Sequence, residues 1–203
     1  MEFVTVGESR IAILSAIRGL VSEGERVRAA IHEVQPEAVG LSVGREDLEG
    51  LIAYEGGDHE PANWEEELYV AGLRQWGDVR KPPPCFVEAL AAAAERGTAV
   101  HPLDLDEEQY STLYVSVVST VDILLSNARQ GRLQRWTSKA GTPEAFVREW
   151  DARVNGSEGY RRLQAEREAF IARRIRQLAS RYGALLALVE VERADGVLGR
   201  LRA

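Results

Sequence analysis

Apolar residues are distributed along this chain in two ways: as short unbroken runs, and as stripes recurring every three or four positions. The runs read as strands. Ala184-Leu185-Leu186-Ala187-Leu188-Val189 is apolar throughout, the mark of a strand covered on both faces. Ala38 to Val43 and Thr98 to Leu103 are similar core strands, and Phe3-Val4-Thr5-Val6 with Ile11-Ala12-Ile13-Leu14 forms a hairpin turning at Gly7. The stripes read as helices. Val27, Ala30, Ile31 and Val34 predict a helix over 23–34, and Phe170, Ile171, Ile175, Leu178 and Tyr182 predict a long one that Gly183 ends as a left-handed cap. Tyr110, Leu113, Tyr114, Val117, Val121, Leu124 and Leu125 keep helix spacing over 106–128, which is read as one helix. Helical segments are further expected at 46–54, around Trp64 to Trp76, at 85–96, after Thr142-Pro143 and from Tyr160.

Helix between core strands is the parallel crossover pattern. The expectation is one α/β domain spanning 1–203: a mostly parallel central sheet with an N-terminal hairpin and helices on both faces. Ser22-Glu23-Gly24-Glu25 has capping-box spacing, Asp106 stands where it can cap the helix after it, and Thr142-Pro143 pairs a cap residue with a first-turn proline.

Composition narrows the classes of function. A net charge of −7 without a basic stripe argues against a nucleic-acid surface. Cys85 is the single cysteine, so no internal disulfide or cysteine zinc cluster can form, which fits a reducing cytoplasm. No apolar run reaches the roughly 20 residues of a membrane span, and the N-terminus does not read as a signal peptide. Lysine is confined to Lys81 and Lys139 against an arginine majority, a bias of GC-rich genomes or hot habitats.

The closing segment resembles the TraB family, which includes the PrgY pheromone-shutdown proteins and is related to Tiki-type and erythromycin-esterase-type hydrolases. The family closes on E-R-D-x-x-M-A, a helix, and V-V-A-V-V-G-x-G-H-x-x-G-I; here Glu166-Arg167, Ala172, the strand and Gly196-Val197 match it. The opening hairpin, the helix and strand to Val43, and the alanine-rich helix leading to Thr98–Leu103 follow the family's order of elements. The resemblance implies a TraB-like fold, and a chain ending at Ala203 would be the soluble domain alone. In the hydrolytic relatives two G-x-x-H motifs and a strand-end glutamate are thought to bind a divalent metal. The corresponding positions here are Leu20, Ser42 and Arg193, and none is such a ligand; an arginine guanidinium does not give up its proton to coordinate a metal. The resemblance therefore implies a degenerate member with no metal and no cofactor.

Open parallel sheets bind ligands beyond the carboxyl ends of their strands. That places Arg18, Ser42, Arg45, Asp104, Asp106, Glu166, Arg167, Glu192 and Arg193 around one expected cleft. On one reading Arg18, Arg45 and Arg193 form a cationic pocket for a small anionic ligand or a peptide. On the other they pair with Asp104, Glu166 and Glu192 and close a relic site. The expected function is a non-catalytic binding or regulatory protein; the alternative is a peptide or ester hydrolase using Asp104 and Glu192 as a carboxylate pair. His32 is expected at the surface, His59 in a solvated loop, and His101 hydrogen-bonded in the interior. Trp64, Trp76, Trp136 and Trp150 read as anchors of helix packing, or, if exposed together, as a homodimer interface.

Overall fold

The computed structural model describes residues 1–203 and builds its sheet around the chain's last strand. Strands β1 (Glu2–Val6), β2 (Ser9–Ala16), β3 (Ala38–Leu41), β4 (Ala99–Pro102) and β5 (Ala184–Glu190) lie in the order β1-β2-β5-β3-β4. β1 and β2 form the antiparallel hairpin, with Gly7 at φ +62° where a side chain would be strained; every other pairing is parallel. The fold is α/β with a mostly parallel sheet, as the alternation of runs and stripes implies. β5 is inserted between β2 and β3, registering Ile13 and Gly40 on either side of Ala187, which explains its unbroken apolar sequence.

Two layers cover the sheet. Helices α1 (Ser22–Val34) and α4 (Pro84–Arg96) pack with Leu14, Val39, Leu186 and Leu188 on one face. Ala89, Ala92 and Ala93 keep α4 slim there, and Cys85 is fully buried. Desolvation pushes its thiol up to about 12, so it is a core residue and an inert one. Helices α8 (Glu158–Ala179) and α9 (Val191–Arg202) cover the other face against Ile11, Ile13, Leu185 and Val189. A third cluster sits beyond the strand ends. There α7 (Pro143–Val154) sets Phe146 against Trp76 (5.5 Å between ring centroids), Trp136 (5.8 Å) and Trp150 (6.5 Å), beside α3 (Trp64–Leu73). Three of the four tryptophans are thus packing anchors within the chain.

Three local expectations are corrected. The stripe over 106–128 is two helices, α5 (Glu107–Val117) and α6 (Thr120–Leu133), bent by 95°. Val118 adopts an extended conformation, and Ser119 starts α6 with a capping box closed by Asp122. Gly183 is not left-handed. The last turn of α8 closes at Ser180, while Gly183 opens the β5 ladder, its N–H donating to Glu37 (2.9 Å) and its carbonyl accepting from Arg10 (2.8 Å). Ser22 does not cap α1; instead the buried Glu23 turns back to accept the Ile17 N–H at 2.9 Å and pairs with Arg26. No single helix is long and apolar enough to cross a membrane, and the α5–α6 pair passes that composition test only with its bent arms taken together.

Candidate binding cleft

The carboxyl ends of β2, β3, β4 and β5 open into a cleft of about 1020 Å³. α2 (Arg45–Ile52) and the start of α5 wall one side, because β3 and β4 each release their chain there into a helix. Those helix starts are cross-linked. Asp106 caps α5 by accepting from Gln109 N–H, and the Glu107 N–H donates to Glu46 of α2 at 3.2 Å. Gly44 sits under this junction, its missing Cβ leaving room for the Leu105 carbonyl.

The floor is a chain of ion pairs. Arg18 Nε lies 3.0 Å from Glu190 Oε1 and its Nη2 lies 3.4 Å from Glu192 Oε1. Arg167, reaching in from α8, donates from Nε to Asp104 Oδ2 at 3.1 Å and pairs through Nη2 with both Asp104 and Glu190, the latter at 3.6 Å. Its Nη1 donates to Gln164 at 2.8 Å. Asp104 also accepts the Leu105 N–H at 2.8 Å, and the Ser42 hydroxyl accepts the Glu190 N–H at 3.2 Å. A second cavity, of about 470 Å³, shares Arg18, Arg167 and Glu190 and adds Glu192 and Arg193. The row Arg18–Glu190–Arg167 is the wall between the two.

Compared with known proteins, the chain matches no protein-family model and no curated protein.

Burial sets the electrostatics of this wall. Desolvation raises the Asp104 carboxyl above its ordinary value, although Arg167 pulls the other way. Desolvation and then the neighbouring Glu190 raise Glu192. Glu190 holds the guanidinium of Arg18 above its already high value. Arg167 is also raised: burial works against its charge, and Glu190 and Asp104 together outweigh that.

The structure brings together Arg18, Ser42, Asp104, Asp106 and Arg167 at the main cleft, and Glu192 and Arg193 at its neighbour. Arg45 and Glu166 belong to neither lining. Arg45 is exposed at the first turn of α2, and Glu166 points to solvent while Arg167, one position on, faces in. Arg193 is not available to a ligand. Its side chain is 5% exposed, pairs with Asp151, and lies 3.3 Å from Glu168, which also binds Arg200 at 2.9 Å. Gly196 makes room for that Glu168 carboxylate against α9. Sequence reasoning missed Glu190, the hub of the wall; its signal was a lone carboxylate ending an apolar strand. The carboxylate partnered with Asp104 is therefore Glu190, through Arg167, and not Glu192.

His32 and His59 lie as expected, while His101 keeps a hydrogen-bond partner but sits half-buried on the edge strand β4 rather than in the interior. His32 and His59 are exposed, His59 set edge-on against Tyr54, and His101 Nε2 is 2.9 Å from the Tyr182 hydroxyl. No three His, Cys, Asp or Glu side chains converge as a metal-holding group.

Proposed function

We propose that the protein is a non-catalytic binding or regulatory domain, a TraB-like member without the metal ligands of the hydrolases, whose ligand enters the cleft at the strand ends. The observation that carries this reading is the closed row Arg18–Glu190–Arg167–Asp104 on the cleft floor. Each group there is partnered by the next. Ser42, 2% exposed, spends its hydroxyl on a backbone N–H and has no base beside it, so the floor holds a shaped, polarised surface and no activated nucleophile.

The same row argues about the ligand's charge. The cleft's cations are Arg18, Arg167 and Lys81, and each has an acidic partner, Lys81 being 2.7 Å from Glu66. Glu55 and Glu107 line it without an ion pair. Spare charge in the cleft is negative, which favours a ligand carrying an amine or guanidinium over the anion that an arginine-lined pocket would select. Thermal unfolding in the presence of spermidine, a lysine-containing tripeptide, phosphate and citrate tests this. A rise with the amines that Glu55→Gln/Glu107→Gln removes is the expected result. A rise with the anions alone would reverse the charge assignment, and no rise with any would remove the binding reading for these classes.

One observation favours a second reading, a hydrolase of ester or peptide bonds. Asp104 is a buried carboxyl with a raised pKa at the floor of a cleft, the kind of group that serves as a general acid. Turnover of p-nitrophenyl acetate that Asp104→Asn abolishes would replace the binding reading.

A further inference from the structure

Helix α6 is amphipathic in the reverse sense. Val121, Leu124, Leu125 and Ala128 recur at the three-and-four spacing of one helix face, and that face is turned to solvent: Val121 is 63% exposed, Leu124 62% and Leu125 44%. The polar side, with Asp122, Ser126 and Arg129, is the more covered one. Neither α5 nor α6 contains a buried residue, and Val115 of α5 is 80% exposed. A large apolar stripe held outward, while the rest of the core is closed, calls for an apolar occupant.

Charge identifies which one. From Ile123 to Pro143 the chain carries Arg129, Arg132, Arg135 and Lys139 and no acid. Arg132 continues the exposed stripe one turn on; it, Arg135 and Lys139 are exposed, and none forms an ion pair. Without these four positive charges the net −7 of the whole chain becomes −11 for the remainder. Along the chain, one basic and apolar segment is thus set into an otherwise acidic protein. Val121, Leu124 and Leu125 protrude and line none of the larger cavities, a shape that a bilayer interface accepts directly. Four side chains of one helix also fall well short of the roughly 800 Å² per partner of a stable protein interface.

We propose that the α6 segment docks the protein on an anionic lipid surface, with Val121, Leu124 and Leu125 in the acyl boundary and Arg132, Arg135 and Lys139 among the headgroups. The acidic remainder is then repelled and faces away, which fixes the orientation. This requires no spanning helix.

Co-sedimentation of the full chain with phosphatidylcholine vesicles, and with phosphatidylcholine vesicles containing phosphatidylglycerol, tests it. The protein is expected to sediment with the anionic vesicles only, less as salt is raised. Neutralising Arg132 and Arg135 as Arg132→Gln/Arg135→Gln should weaken partitioning by about fivefold per arginine. Leu124→Asp/Leu125→Asp should abolish it with the circular dichroism and melting temperature unchanged, because these side chains are exposed. Binding to neither vesicle, or binding that both variants retain, overturns the proposal. So does a concentration-dependent dimer in sedimentation velocity that Leu124→Asp/Leu125→Asp dissolves, since a second copy would then be the occupant.

Discussion

At the scale of single residues, Arg167 carries the most weight. Its planar fork meets Asp104 through two nitrogens and reaches Glu190 through one of them, and both carboxylate side chains are only 5% exposed. Removing one partner of a buried charge network is far costlier than the network is stabilising, because the remaining charges stay desolvated. Arg167→Met is therefore expected to lower stability by about 3–5 kcal/mol, read from urea midpoints, with Arg167→Lys losing part of that because an ammonium cannot bridge both acids. A loss under about 1 kcal/mol would mean that water already screens the pair. Much of this site was legible in the sequence: Arg18, Ser42 and Asp104 were placed by the rule that strand ends converge. Direction was not. Glu166 and Arg167 are neighbours along the chain but about 100° apart on a helix, so only one can face the cleft. Glu190 was hidden because an acid closing a strand looks the same whether it is a surface stop or a buried hub.

At the scale of elements, the pattern of runs and stripes located the strands and most of the helices but was blind to two things. It does not register a bend, since α5 and α6 keep the same three-and-four spacing across Val118 and Ser119. Nor does it say which side of a stripe is covered: the stripes of α1 and α8 are core, and that of α6 is surface. The β-branched and serine-rich sequence around Val117 to Thr120, weak in helix propensity, was the local sign of the break. Glycine carries a different kind of element-scale information. Gly72 in α3 lies against the Phe146 ring, where an added Cβ would overlap the ring itself. Phe146 is 2% exposed and held by Tyr69, Trp76, Trp136 and Trp150, so it has little room to retreat. Alanine in a helix ordinarily gains up to about 1 kcal/mol over glycine. Overpacking typically costs about 1–3 kcal/mol and should prevail. Gly72→Ala is expected to destabilise in chemical denaturation, with a shift in tryptophan emission; a stabilised variant would show that the aromatic cluster is loose.

At the scale of the whole molecule, the sequence implied crossovers but not strand order, because nothing local marks that the last strand enters between the first and second parallel ones. That insertion sets β5 at the centre of the sheet and buries the acids around its end, giving the fold a pH signature. Glu65, Asp104, Glu168 and Glu192 are all raised, in each case chiefly by desolvation. A carboxyl with a folded pKa above its unfolded one contributes stability that is fully present below the unfolded value, 3.8 for Asp and 4.5 for Glu, and is lost as pH rises through the folded value. Asp122, held low by Ser119, Ser157 and Gly159, acts in the opposite sense, its contribution being lost only as pH falls below 3.8. His101, lowered by burial, also opposes the trend below 6.5, so the raw melting curve mixes signs. Glu192→Gln separates them. Arg18 keeps Glu190, and the only titration removed is that of the carboxyl pressed against Glu190. The variant should match the wild type most closely at and below pH 4.5, the unfolded value, and gain on it as pH rises above that and the native carboxylate is forced to ionise in place. A melting-temperature difference that stays flat over that rise, or shrinks, would mean that Glu192 is solvated and that the wall between the two cavities is open to water.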